Sequence, residues 1–141
     1  GTTHTKLISA VHAANKHADG LEDLNQLGGI DAYQRASLRG NRVFDSSRWL
    51  LEQIEALGLF PWRSKNKPVR LLDVGALRPV YARVPWIAAD ACDLHSRHPL
   101  IREADFLTDD TVAKESLEVV ALSLVINFCG DPAKRFQMLQ R

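Results

Sequence analysis

The run Leu71–Leu77 constrains the fold of this chain more than any other stretch. Its apolar residues surround one acid, Asp73, and are interrupted by a glycine, Gly75. Apolar runs of this length are typical of strands buried in a parallel sheet, and a glycine after such a strand lets the backbone turn sharply beside a ligand. The pattern predicts a first sheet strand whose carboxyl end opens into a loop that lines a small-molecule site.

A second acid, Asp93, follows Gly75 by 18 positions and closes the apolar-rich run Trp86–Asp93. In nucleotide-binding α/β folds, a glycine turn after the first strand and a carboxylate about 20 residues later bracket a ribose, because the acid accepts hydrogen bonds from its hydroxyls. The loop after Gly75 lacks the repeated glycines that bring the backbone close to a pyrophosphate, which argues against NAD or ATP. The two residues indicate a pocket for a nucleoside without phosphates, although Gly75 also fits an ordinary turn.

Length and charge are those of one globular domain. The chain has 141 residues, of which 45% are hydrophobic and 25% charged, and its 18 basic and 17 acidic side chains leave a formal charge of +1. This balance excludes a protein that binds nucleic acid through its gross charge, so any RNA-binding surface must be local. The basic segment 63–70 is read as a solvated loop, with an RNA contact as the alternative.

Membrane spans, disulfides and metals are not indicated. No segment reaches the ~20 apolar residues of a membrane span or resembles a secretory signal, so a soluble intracellular protein is expected. Cys92 and Cys129 lie in apolar runs, where buried reduced thiols are more common than a disulfide. His95 and His98 have no third ligand at a useful spacing, and Pro99 breaks the helix that would align them, so no metal is predicted.

Helical signals characterise residues 1–62 and strand signals residues 63–141, which we predict to be a helical section followed by the ligand-binding section. Periodicity and capping residues predict helices over Thr5–His17, from Asp31 to Gly40, and from Ser46 or Ser47 to just before Phe60. A further helix-like segment covers the chain from Asp131 onward. The predicted class is therefore α/β, with N-terminal helices before a parallel sheet.

The longest apolar run, Leu117–Ile126, is rich in β-branched residues and predicts a central parallel strand, with Asn127 and Phe128 at its carboxyl end. Open α/β sheets bind ligands at the carboxyl ends of their strands. We therefore expect Gly75, Asp93, Asp105 with Phe106, and Asn127 with Phe128 along one rim. The sheet would keep an unpaired edge where the chain stops, so a continuation is expected.

Short motifs along most of the chain are together similar to those of one family. They are Leu27-Gly28-Gly29, Tyr33-Gln34-x-Ala36-Ser37, Leu72-Asp73-Val74-Gly75, Asp93-Leu94-His95-Ser96-x-His98-Pro99-x-Ile101, Asp105-Phe106-Leu107 and Leu122-Ser123-Leu124-Val125-Ile126-Asn127-Phe128-x-x-Asp131-Pro132-x-x-Arg135. With these motifs the chain resembles the fungal base methyltransferases of 25S ribosomal RNA. The resemblance implies a Rossmann-like fold that uses S-adenosyl-L-methionine, methyl transfer to N1 of an adenine in large-subunit rRNA, and a nucleolar location.

The resemblance also implies the roles of individual residues. Gly75 would lie under the methionine part of the cofactor, Asp93 with its neighbour Leu94 would bind the ribose, and Asp105 with the Phe106 backbone would meet the adenine. Tyr33 and Gln34 would close over the cofactor from the N-terminal helices. Asn127 and Phe128 would lie against the target base, although their segment lacks the paired prolines of the commonest motif.

Asp73 is a candidate to offset the positive charge of the cofactor sulfonium, with a structural acid bonded to loop amides as the alternative. The methyl donor is already activated, so no covalent intermediate is expected. Two rival functions stay open, a related sensor that binds S-adenosylmethionine without turnover and an inactive scaffold. Family members have longer loops near Gly40 and after Leu77, so the sequence is expected to lack residues there.

Overall fold

The computed structural model describes residues 25–40, 46–58, 67–111, 116–123 and 125–141. These residues form two compact units. A helical unit contains residues 25–40 and 125–140, and a sheet unit contains residues 46–58, 67–111 and 116–123 together with Arg141. The predicted helix Thr5–His17 lies outside the described residues, and the predicted division between residues 62 and 63 stays a prediction.

The sheet unit is built on four parallel strands in the order β3-β2-β1-β4. The strands are β1 (Val69–Val74), β2 (Ile87–Asp93), β3 (Arg102–Glu103) and β4 (Val119–Ala121). Every pairing is parallel, so all four carboxyl ends lie on the same edge. This confirms the predicted α/β class with a parallel, Rossmann-like sheet.

The core of this unit lies where helix α2 (Ser46–Ala56) packs against the sheet. Ile54 of the helix joins Leu71 of β1 and Ile87 of β2 in one buried cluster. Strand β1 is buried at five of its six positions, as expected for a strand with neighbours on both sides. The helix is followed by Gly58, whose φ of 68° is the left-handed conformation that glycine adopts readily after a helix.

The connection from β1 to β2 contains a 3₁₀ turn, Val80–Arg83, where many parallel crossovers carry an α-helix. Pro79 introduces it with φ −79° and ψ 66°, and the Val80 amide donates to the Arg78 carbonyl at 2.8 Å, which together make an inverse γ-turn. Tyr81 is buried in the core cluster and so fastens the turn to the sheet. The short connection places the segment after Gly75 close to the strands.

The prediction of a central strand over Leu117–Ile126 is wrong. The strand covers only Val119–Ala121 and, among the described residues, pairs with β1 alone, while Val125–Phe128 forms a single helical turn, α3. Asn127 and Phe128 therefore do not end the strand. A continuous apolar run fits a strand or a buried helix equally well, and only pairing partners, which the run does not reveal, decide where a strand stops.

The helical unit contains α1 (Gly29–Gly40), α3 and α4 (Pro132–Gln140). Helix α1 ends at Gly40 as predicted but begins at Gly29, so Asp31 lies in its first turn and does not cap it. Helix α4 confirms the helical prediction for the last segment. No helix in the described ranges is long and apolar enough to cross a membrane.

Candidate functional site

The glycine turn after β1 is fastened to the end of β2. Gly75 has φ 74°, a left-handed conformation that strains other residues, and its amide donates to the Cys92 carbonyl at 2.8 Å. The Ala76 amide donates to the same carbonyl at 3.1 Å. Because Asp93 directly follows Cys92, the structure confirms that the glycine turn and Asp93 lie at one edge of the sheet.

Asp93 keeps acceptor capacity in its carboxylate. Its Oδ1 accepts the His95 amide at 2.8 Å, and its main-chain carbonyl accepts the Ala104 amide at 3.0 Å. No other hydrogen bond to the carboxylate occurs within the described ranges. The side chain is half-buried and the neighbouring Leu94 is exposed. An ionised carboxylate has about four acceptor positions, so Asp93 can still accept from a ligand.

The loop after β3 carries Asp105 and Phe106. The Asp105 Oδ1 accepts the Leu107 amide at 2.9 Å, and its carbonyl accepts the amides of Thr108 and Asp109, which folds the loop into a tight turn. The Asp105 side chain stays exposed, whereas Phe106 is buried. Strands β2 and β3 are parallel neighbours, so this turn lies on the same edge of the sheet as Asp93.

Two arginines hold that loop in place, and sequence reasoning did not identify either. Arg102 bridges two acids, with 2.8 Å from Nη1 to the Asp109 carboxylate and 2.9 Å from Nη2 to the Asp90 carboxylate. The Thr111 hydroxyl, and then Arg102, lower the pKa of Asp109 to about 2. The sequence offers only a weak signal for the first arginine, an acid on β2 and a base on the next strand, Asp90 and Arg102.

The second arginine, Arg141, stabilises the same loop from its other side. Its Nη1 donates to the Leu107 carbonyl at 2.5 Å and its Nη2 donates to the Asp109 carbonyl. Its guanidinium lies 5.6 Å from the centre of the Phe106 ring, a cation–π distance. The main chain that presents Asp105 is thereby held before any ligand binds.

Asp73 is the most perturbed acid at this site. Its side chain is only 8% exposed, no donor among the described residues bonds to it, and burial raises its pKa to about 7. The alternative expectation, an acid bonded to loop amides, is therefore not what the described residues show. The carboxyl instead lines a small cleft that is partly open to solvent. The other lining residues are Pro79, Val80, Tyr81, Ala82, Ala89, Asp90, Ala91 and Leu100.

Four predicted site residues belong to the helical unit. Gln34 is buried on α1, and Tyr33 lies on the same helix. Asn127 is exposed and Phe128 half-buried on α3. The structure thus brings Asp73, Gly75, Asp93, Leu94, Asp105 and Phe106 together in the sheet unit. The binding or catalytic role of every one of these residues stays a prediction.

Metal ligands are not grouped in the described part of the chain, where no three His, Cys, Asp or Glu side chains come close enough to hold an ion. His98 has a local structural contact, because its Nδ1 accepts the Leu100 amide at 3.1 Å. Both cysteines are free thiols, with Cys92 buried and Cys129 half-buried.

A parallel sheet with a glycine turn and acids after successive strands on one edge, next to a cleft with a buried carboxyl, defines an α/β domain of the Rossmann-like class. Comparison with known proteins makes this class more specific. Residues 20–141 match the family model Bmt2, described as "25S rRNA (adenine(2142)-N(1))-methyltransferase", and the chain belongs to this family.

A curated relative from Schizosaccharomyces pombe, named "25S rRNA adenine-N(1) methyltransferase", is 36% identical over 141 residues. The match covers 96% of this chain and 51% of the relative, so the chain spans about half the length of that protein. No solved structure matches the chain. The family is thereby shown by sequence, and the fold by the parallel sheet.

Proposed function

We propose that this protein transfers a methyl group from S-adenosyl-L-methionine to N1 of an adenine in 25S large-subunit rRNA, in the nucleolus. The observation that carries the proposal is the hydrogen-bonded junction between the Gly75 turn and Cys92, which puts Asp93 beside the turn in a chain of the Bmt2 family. The name of the Schizosaccharomyces pombe relative supports the same reaction. The predicted enzyme class is thus an rRNA (adenine-N1)-methyltransferase.

The carboxylates of the sheet unit fit the charges of S-adenosylmethionine. The cofactor carries a ribose diol and positive charge on its sulfonium and amino groups, but no phosphate. Asp93 has acceptor capacity for the diol, and Asp73 is a buried carboxyl without a counter-charge among the described residues. The amides of Gly75 and Ala76 already bond to Cys92, which fits a ligand without phosphates.

Each predicted contact gives the chain one task in binding. Asp93, with Leu94 beside it, would bind the ribose, and the pre-formed turn at Asp105 and Phe106 would meet the adenine of the cofactor. Asp73 would face its positive charge, and Gly75 would allow the main chain to pass under its methionine part. The family resemblance also predicts cofactor contacts from Tyr33 and Gln34, which belong to α1. When bound, the cofactor supplies a methyl group that is already activated for transfer.

Holding the two reactants in line is then the main task of the protein. Adenine N1 attacks with an in-plane lone pair that base pairing normally occupies, so the target must be bound unpaired. Alignment of two bound reactants contributes roughly 7–11 kcal/mol to catalysis without a nucleophile from the protein. Asn127 and Phe128 are the predicted contacts to the base, through amide hydrogen bonds and ring stacking respectively.

The deciding experiment is methyl transfer by the full-length protein. Purified protein, labelled S-adenosylmethionine and unmodified 25S rRNA should yield N1-methyladenine after nuclease digestion and chromatography. A transcript with guanine at the target position is the matched control and should stay unlabelled. Saturable cofactor binding without any label in the RNA would contradict the proposal and identify a sensor that binds without turnover.

A further inference from the structure

The motif Asp131-Pro132-x-x-Arg135 builds the start of α4 and ties it to the preceding turn. The Asp131 carboxylate accepts the Ala133 amide at 2.8 Å, which caps the helix, and Pro132 occupies the first helical position, where its missing N–H costs nothing. From the first turn of the helix, the Arg135 Nε donates to the Cys129 carbonyl at 2.6 Å. The motif thus connects α4 to residues before it in the chain.

The segment that Arg135 contacts is a short helix with little stability of its own. Helix α3 has only four residues, Val125–Phe128, and its last hydrogen bond runs from the Cys129 amide to the Val125 carbonyl at 3.1 Å. A single helical turn is unfavourable in isolation, because ordering its backbone costs more than one hydrogen bond returns. Contacts from outside must hold it.

Arg135 supplies such a contact at the place where the turn ends. Carbonyls at a helix carboxyl end lack partners within the helix, and a cation there also interacts favourably with the helix dipole. The arginine is half-buried, and the bond is short for an N–H donor and a carbonyl. The neighbouring side chain, Lys134, is exposed and has no contact of this kind in the described structure.

We propose that Arg135 is a positioning residue for methyl transfer, which acts by holding the α3 turn so that Asn127 and Phe128 keep one orientation toward the target base. The proposal rests on the proposed function, since it takes the base contacts of that reaction as given. It assigns a role to the motif Asp131-Pro132-x-x-Arg135, whose residues are not themselves expected to touch cofactor or base. Asp131 and Pro132 act one step further away, by fixing the helix from which Arg135 reaches back.

The test compares three variants of the full-length protein, Arg135→Ala, Arg135→Lys and Lys134→Ala, with the wild type. Small misplacements of a reacting pair cost about 100-fold in rate, so Arg135→Ala should lower kcat by about 10- to 100-fold. Its KM for S-adenosylmethionine should change by less than about twofold, because the predicted cofactor acids lie elsewhere. Arg135→Lys keeps a cationic donor and should recover part of kcat, and Lys134→Ala should match the wild type.

Amide hydrogen exchange of residues 125–130 provides a second measurement that does not depend on turnover. Arg135→Ala should speed exchange at Cys129, and Lys134→Ala should leave it unchanged. An unchanged kcat in Arg135→Ala overturns the positioning role, and so does a parallel loss of kcat, cofactor affinity and melting temperature that Arg135→Lys does not relieve. If the wild type transfers no methyl group, the proposed function fails. Hydrogen exchange still tests whether Arg135 stabilises the α3 turn, and unchanged exchange in Arg135→Ala would show that it does not.

Discussion

The two faces of the sheet differ in whether their carboxylates have a charged partner among the described residues. Asp73 pairs in register with Ala91, so Asp90 points to the other face, which it shares with Arg102, the partner of Cys92. On that face Arg102 forms ion pairs with both Asp90 and Asp109 at 2.8–2.9 Å. On the first face Asp73 is buried beside the cleft, to whose lining Asp90 also contributes, and no described residue bonds to the Asp73 carboxyl.

The difference appears directly in the pKa values. Hydrogen bonds lower the pKa of Asp109 to about 2, whereas burial raises the pKa of Asp73 to about 7. The first carboxylate is therefore part of the structure's own charge balance. The second has a charge that the described residues leave without compensation, and buried groups of this kind occur preferentially at functional sites. The ion-paired face should thus add to stability at neutral pH, whereas ionisation of Asp73 on the cleft face should cost stability and favour a cationic ligand.

The largest expected effect is the pH dependence that Asp73 imposes on stability. A carboxyl whose pKa rises from 3.8 to about 7 on folding contributes full stability below pH 3.8 and loses it as the pH rises through 7. At 1.36 kcal/mol per unit, the loss amounts to roughly 4 kcal/mol. Urea unfolding of wild type and Asp73→Asn between pH 4 and 8 should show this loss in the wild type alone.

Cofactor affinity should depend on pH in the opposite direction to stability, and Asp73→Asn should remove this dependence too. If Asp73 faces a cationic part of the cofactor, the affinity of the wild type for S-adenosylmethionine rises with pH through about 7, and Asp73→Asn removes this rise. Calorimetry at pH 6 and 8 measures it. A stability difference between the two proteins that stays constant from pH 4 to 8 would contradict an uncompensated acid and would remove the contrast between the two faces.

A smaller effect is expected on the ion-paired face. Arg102→Met keeps most of the side-chain volume but leaves Asp90 and Asp109 close together without a cation. Loss of charge-assisted hydrogen bonds in this partly exposed pair should cost about 3 kcal/mol in urea unfolding at pH 7. The cost should shrink as the pH falls below 3.8 and through about 2, where Asp109 becomes protonated in the folded protein.

A surface ion pair provides the matched control for this change. Asp110 lies 3.4 Å from Arg141 with its side chain 95% exposed, so Asp110→Ala should cost less than about 0.5 kcal/mol. Equal costs for Arg102→Met and Asp110→Ala would show that the Arg102 bridge is no stronger than a surface pair. The distinction between a structural and a binding face would then lose its basis.

The sequence predicted this sheet best where the apolar pattern and the ligand chemistry agree. Leu71 to Gly75 has one arrangement that buries its apolar side chains and lets the chain turn, and β1 with its glycine turn follows that expectation. The β2 strand ending at Asp93 was predicted for the same reason. The carboxyl edge shared by Gly75 and Asp93 follows from parallel pairing and needs no further information.

Other features depend on contacts between residues far apart in the chain. The Arg102 bridge joins residues 7 and 12 positions away, and Arg141 reaches back by 34 positions to Leu107. No local propensity encodes such contacts. The wrong strand at Leu117–Ile126 has the same origin, because the length of β4 is set by its pairing with β1 and not by its composition.

A last expected effect tests the binding side of the contrast at Asp93. Loss of a charged acceptor costs about 1.5–3 kcal/mol, so Asp93→Ala should weaken S-adenosylmethionine binding at least about tenfold in calorimetry with the full-length protein. Asp93→Ala should lower the free energy of unfolding less than Arg102→Met does, because among the described residues the Asp93 carboxylate accepts one hydrogen bond, from the His95 amide. Asp93→Asn can keep that bond while losing the charge, and it therefore separates ribose binding from local structure.

Glu103→Ala, at the exposed partner of Asp93 on β3, is the matched control and should leave the affinity unchanged. An affinity that survives Asp93→Ala would remove the ribose assignment, and Asp73 would then be the one acid of this edge still tied to the ligand by its own perturbed pKa.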